Sequence, residues 1–205
     1  MKSNSNSKAD SIEAYYLEIA SMQNSSETKQ DNNVFEWLFF GSFAILFLVT
    51  LFHFLFEISG YSELMGLVAP VNKSLHEVVK VGIWPVIVYS IIEYPFIKNH
   101  VNNYFLSKFS GILVLETILI AFIYIADFLG FSPGINLIAI SHFIGVFAGQ
   151  YVTYRVMEIP SYQLSVNRLS LAAIFSITVF LAVNTTLHQA KKATALKSIN
   201  TGIQN

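Results

Sequence analysis

The run Pro70-Val71-Asn72-Lys73-Ser74-Leu75-His76-Glu77-Val78-Val79-Lys80 places a carboxylate, an ammonium, an imidazole and an amide within one or two helical turns. Glu77 and Lys80 are three apart, so a helix would set them on one face. An apolar run, Val81 to Ile92, would carry that face into a hydrocarbon layer. Ser74 and Glu77 also have the spacing of a capping box, in which each side chain satisfies an amide left unpaired by the first helical turn. A second pair, His53 and Glu57, lies four apart and again on one face. Carboxylates, imidazoles and a lysine in such a place can bind a proton or cation and couple protonation to movement.

The elements that must position these groups are set by composition. The chain is 54% hydrophobic and only 12% charged, which is the make-up of a membrane-embedded protein. The net charge of −1 and the lack of a basic patch interleaved with aromatics exclude nucleic acid as a partner. With no cysteine there is no disulfide, thiolate nucleophile, iron–sulfur cluster or Cys-type zinc site.

Five stretches are apolar for long enough to cross a core of about 30 Å at 1.5 Å per residue. They are Phe35 to Glu57, Ser74 to Tyr94, Phe109 to Leu129, Ile135 to Val156 and Val166 to Leu187. Pro85 should bend the second span. Ile58 to Ala69 is too apolar for a free loop and too short to cross, and is expected to lie at the membrane interface. The expected fold is therefore all-α: a polytopic bundle of about five transmembrane helices, residues 34–188, between two polar tails. Residues 1–33 have the composition of a mostly disordered tail, with a short amphipathic helix over 11–23 marked by Ile12, Tyr15, Tyr16, Ile19 and Met22. Residues 189–205 form the other tail. No internal repeat and no second domain is visible.

Alternation of five spans gathers distant residues. The side opposite the N-terminus receives His53, Glu57, Asn72, Ser74, His76, Glu77, Lys80, Asp127, Asn136, His142, Asn184 and His188. The N-terminal side receives Glu93, Gln150 and Arg155, with Glu116 roughly 10 Å deep. Arg155 is the expected counter-ion of Glu93 or Glu116. His142, flanked by Ser141 and Phe143, reads first as a hydrogen-bonded core histidine rather than a ligand. Short connections on the N-terminal side hold Lys98, Lys108, Arg155 and Arg168 against Lys73 opposite; Lys191, Lys192 and Lys197 of the tail weigh the other way, but short connections govern the positive-inside rule and the N-terminus is expected in the cytoplasm.

The combination His53-Phe54-Leu55-Phe56-Glu57-Ile58-Ser59-Gly60, then Pro70-Val71-Asn72-Lys73-Ser74 with Glu77, Lys80 and Pro85, then Ile91-Ile92-Glu93-Tyr94, resembles a family of small bacterial multispan membrane proteins with no assigned function. The family's central motif reads P-V-N-E-S-x-W-E-H-x-K, and its fourth span ends near Q-Y-x-x-Y, here Gln150-Tyr151-Val152-Thr153-Tyr154. The resemblance runs from Trp37 to Met157. This chain departs from it at Lys73, His76 and Val78, where the family has Glu, Trp and His. His76 is two residues from the usual histidine position, about 200° around a helix, and cannot point the same way.

The candidate set retained is His53, Glu57, Asn72, Ser74, Glu77, Lys80 and Glu93, with His76, Glu116, Asp127, His142 and Arg155 as a second rank. Three functions fit it. One is a transporter-like or channel-like subunit with an ionisable site in one leaflet. Another is a membrane-embedded enzyme acting on a lipid-like substrate, with His53, Glu57, Glu77 and His142 holding a divalent metal. The third is an accessory or assembly protein. The sequence assigns no particular cofactor, and a metal enters only with the enzyme reading. The bilayer is the expected environment, with a second copy of the chain or a membrane partner in addition.

Overall fold

The computed structural model describes residues 3–72, 74–131, 134–160 and 164–202, with side chains for Leu17, Glu18 and, within those ranges, residues 33–186 except Leu164. Among the described residues there are six helices and no strand: α1 (Ser3–Ile58), α2 (Glu63–Gly66), α3 (Leu75–Ile97), α4 (Tyr104–Phe128), α5 (Ile135–Glu158) and α6 (Leu164–Gly202). Five of them contain segments long and apolar enough to cross a membrane: Asn33–Ile58, Leu75–Ile97, Tyr104–Phe128, Ile135–Glu158 and Ser165–Thr186.

These segments follow the predicted spans to within a few residues, except at the start of α4. There the helix begins at Tyr104, ahead of the predicted Phe109, because Lys108 is buried and paired instead of lying in a polar loop. The backbone of residues 3–33 continues α1 where composition predicts a disordered tail, and α6 likewise continues past Thr186 to Gly202. Helix extension from an already packed span needs only propagation, without the costly nucleus. The side chains that mark the predicted amphipathic helix over 11–23, Ile12, Tyr15, Tyr16, Ile19 and Met22, lie outside the described residues, as do those of Lys73 and His188.

Two helices end in Schellman motifs. At the end of α1, Tyr61 N–H donates to Phe56 O at 2.9 Å and Gly60 N–H to Glu57 O at 3.0 Å, with Gly60 at φ +69°. At the end of α4, Phe131 N–H donates to Ala126 O at 2.8 Å and Gly130 N–H to Asp127 O at 3.0 Å, with Gly130 at φ +77°. Tyr61 itself holds φ +63°, a conformation uncommon for a bulky side chain.

The tightest crossing is between antiparallel α4 and α5. A Cβ on Gly149 would lie 2.7 Å from Gly111 O, and one on Gly145 would lie 3.2 Å from Leu115 O, so only glycine lets these backbones approach. Small residues play this role wherever apolar helices associate without help from water. Ile45 and Val49 of α1, Val81 and Val86 of α3, Ile112 and Leu115 of α4, and Val146 of α5 form the central core. α6 lies at the edge against α3 and α4 and is the most exposed of the five spans.

On the N-terminal side, Asn103 caps α4 from a left-handed conformation (φ +53°) and donates from Nδ2 to Ile159 O at 3.1 Å and Pro160 O at 3.2 Å. Asn167 Oδ1 accepts from Leu106 N–H at 3.0 Å, satisfying one open amide of α4 from α6. Those bonds tie the two short connections of that end together.

Candidate functional site

Helix α3 begins where the sequence places it, with Ser74 as its N-cap, but the capping box does not form. Ser74 makes no side-chain cap bond, and its amide is taken by Asn72 Oδ1 at 2.8 Å. Glu77 is turned inward: Oε2 accepts from Val71 N–H at 2.9 Å and lies 2.6 Å from Lys80 Nζ. Burial explains the choice, since a carboxylate beside a lysine in an apolar bundle gains more from that ammonium than from an exposed amide.

Lys80 Nζ donates to Gly66 O at 2.8 Å, Ala69 O at 3.0 Å and Thr185 Oγ1 at 3.0 Å, besides its contact with Glu77. Three hydrogens thus serve four acceptors, and the ammonium is saturated. Thr185 offers its own hydrogen to Glu77 Oε1 at 3.0 Å or Leu181 O at 3.1 Å. Glu77 and Lys80 are fully buried. The connection predicted to lie at the interface is therefore folded back and clipped: its short α2 and Ala69 are pinned through Lys80 to α3 and α6. His76 stays exposed, 3.9 Å from Glu77 Oε1 and 3.4 Å from Ser74 Oγ.

Beside this clip is a cavity of about 500 Å³ lined by His53, Phe56 and Glu57 of α1, Tyr61, Pro70, Val71 and Asn72 of the connection, Val78 and Val81 of α3, and Ile135 and Ile138 of α5. His53, Glu57 and Asn72 thus meet at one place, while Glu77 and Lys80 lie behind the wall. Asp127 and Asn136 are exposed, Asn184 is half-buried, and none of the three lines the cavity.

At the other end the expected counter-ion is replaced. Arg155 is exposed and pairs with Glu158 on its own helix at 2.6 Å. Glu93 is instead held by Lys108 Nζ at 2.7 Å, with Lys108 also over the rings of Tyr104 (5.5 Å) and Tyr89 (6.0 Å). The reason is reach: Glu93 and Lys108 both face the interior of the α3–α4 turn, whereas Arg155 points away from it. Glu116 is buried with no hydrogen-bond partner on either oxygen among the described residues. His142 is the buried histidine that the sequence predicts; its Nδ1 lies 2.8 Å from Ile138 O, and Nε2 has no partner among the described residues. Gln150 reaches Leu38 O at 3.4 Å. Among the described residues no three His, Asp or Glu side chains converge as metal ligands would.

A family model, DUF6512, matches residues 26–200. The chain belongs to this family of unknown function. The match extends beyond the resemblance read from Trp37 to Met157 and takes in all five apolar helices. No curated protein and no solved structure matches the chain.

Sequence reasoning about this DUF6512 member missed Thr185, the carbonyls of Gly66 and Ala69, and Lys108. Two signals pointed to them. Lys108 closes the polar segment directly before an apolar run, and Thr185 is a hydroxyl one residue from Asn184 at the same membrane level as Glu77. Backbone acceptors leave no such trace, because any residue supplies a carbonyl. The spacing Gly145-x-x-x-Gly149 was also legible as a helix-crossing motif.

Proposed function

We propose that the protein is a small transport subunit of the cell membrane that takes a proton or a small polar cation into the cavity lined by His53, Glu57 and Asn72. The observation that carries this reading is the meeting of those three groups, from two separate parts of the chain, in one cavity of about 500 Å³ with otherwise apolar walls. That volume is in the ordinary range for small ligands, and a few converging polar groups on an apolar surface are the usual composition of such sites. Glu57 would supply charge, His53 a proton donor or acceptor, and Asn72 a neutral anchor. By its loop charges the N-terminus lies in the cytoplasm and the cavity opens outward.

Saturation of Lys80 and Glu77 favours a structural role for that pair: holding the cavity's lid segment, residues 61–72, in place. The metal-enzyme alternative has no comparable support, and an assembly role would leave the cavity unexplained. The test is flux in vesicles of phosphatidylcholine carrying the purified chain, with an entrapped pH dye and imposed proton, sodium or potassium gradients. Flux above that of empty vesicles, lost in Glu57→Gln, is expected. Wild-type vesicles that behave as empty ones would overturn the reading.

A further inference from the structure

Two buried ionisable side chains that lack full partners among the described residues lie, by helix register, below the level of the residues that line the cavity. Its floor is formed on α3 by Val78 and Val81 and on α5 by Ile138. One residue below Val81, the space that a Cβ on Gly82 would need is taken by Glu116 Oε1. One turn below Ile138, His142 binds its carbonyl through Nδ1, and its Nε2 meets no partner among the described residues. Glu116 is 8% exposed and His142 1%. Leu115 and Gly145 mark a common level of α4 and α5. Glu116 is one residue, and His142 three, from that level toward the cavity, so they differ in height by only about 3 Å at 1.5 Å per residue.

One turn deeper, Val86, Ile112 and Val146 belong to the apolar core. An orphaned carboxyl and an orphaned imidazole nitrogen at one level, between the residues that line the cavity and the apolar core, have no structural account among the described residues. Stability would be better served by apolar side chains. We propose that Glu116 and His142 form a blind-ended proton-binding tier, loaded and emptied through the cavity, so that its protonation is linked to what the cavity holds. This rests on the cavity being the ligand site.

The other ionisable groups of the surrounding spans are few. α1 offers His53 and Glu57 near this level, and α3 offers Glu77 and Glu93, which are occupied by Lys80 and Lys108. α6 has none between Arg168 and Thr186. Nothing on the neighbouring helices therefore competes for the Glu116 proton except His142 and the cavity.

Dicyclohexylcarbodiimide, which partitions into bilayers and adds a protonated carboxyl across its N=C=N group to give a stable N-acylurea, tests this on the full chain in phosphatidylcholine vesicles. Peptide mapping should find Glu116 as the principal adduct, forming up to about tenfold more slowly per pH unit once the carboxyl ionises. Glu116→Gln should abolish that adduct, and His142→Gln should shift the pH midpoint of labelling in vesicles where the chain stays monodisperse on extraction. Labelling of Glu57, Glu77 or Glu93 with Glu116 untouched would overturn the tier, as would a midpoint indifferent to His142. Labelled Glu116 in vesicles without flux would sink the transport reading and leave the tier standing. Flux sensitive to Glu57→Gln with Glu116 unlabelled would do the reverse.

Discussion

At the scale of single residues, the buried ionisable groups divide by whether their valences are met. Glu77 and Lys80 satisfy each other, two carbonyls, an amide and a hydroxyl; removing one member leaves the other's buried charge without its counter-ion. Lys80→Ala should therefore cost about 3–5 kcal/mol, whereas the double change Glu77→Leu with Lys80→Met should restore much of it, as read from thermal unfolding of the detergent-solubilised chain by tryptophan fluorescence. Arg155→Ala should change the same midpoint by no more than about 1 kcal/mol, since its pair with Glu158 is exposed. The sequence made Glu77 and Lys80 conspicuous because charge is rare in an apolar run. It could not show that both are consumed internally, because their partners are backbone carbonyls and a threonine 105 residues away from Lys80. For the same reason Arg155 was the natural guess for Glu93: charge balance is legible in a sequence, and the direction in which a side chain leaves its helix is not.

At the scale of helices, the spans were readable because each needs about 20 apolar residues and little else. Their ends were readable where chemistry is local, as at Gly60 and Gly130, the left-handed residues of two Schellman motifs. The start of α4 was not, since it depends on Lys108 finding Glu93 across a turn. Helix pairing depends on the α4–α5 crossing. Gly149→Leu would drive a side chain into Gly111 O and should destabilise by about 1–3 kcal/mol or split the bundle. Gly134→Ala, with open space around its Cβ, should stay within about 0.5 kcal/mol of wild type in the same unfolding assay.

At the scale of the molecule, five apolar helices leave the polar groups at two ends. One end holds the Glu93–Lys108 pair, the exposed Arg155–Glu158 pair and the asparagine ties; the other holds the cavity lined by His53, Glu57 and Asn72 beside a clipped connection. Asymmetry of this kind is what a protein open to one side of a membrane requires. Orientation is testable with Ser62→Cys in a chain that has no other cysteine: a membrane-impermeant maleimide should label it on intact cells, and labelling only after permeabilisation would place the cavity on the cytoplasmic side. The most direct measurement is the accessibility of the cavity itself. His53→Cys and Val146→Cys, each in purified chain reconstituted in vesicles, are treated with a small water-soluble thiol reagent. Rapid reaction at position 53, slowed when Glu57 and its neighbours are occupied by a transported cation, with none at position 146, is the predicted result. Equal inertness of the two cysteines would mean that no water reaches His53, and the cavity could not be a site.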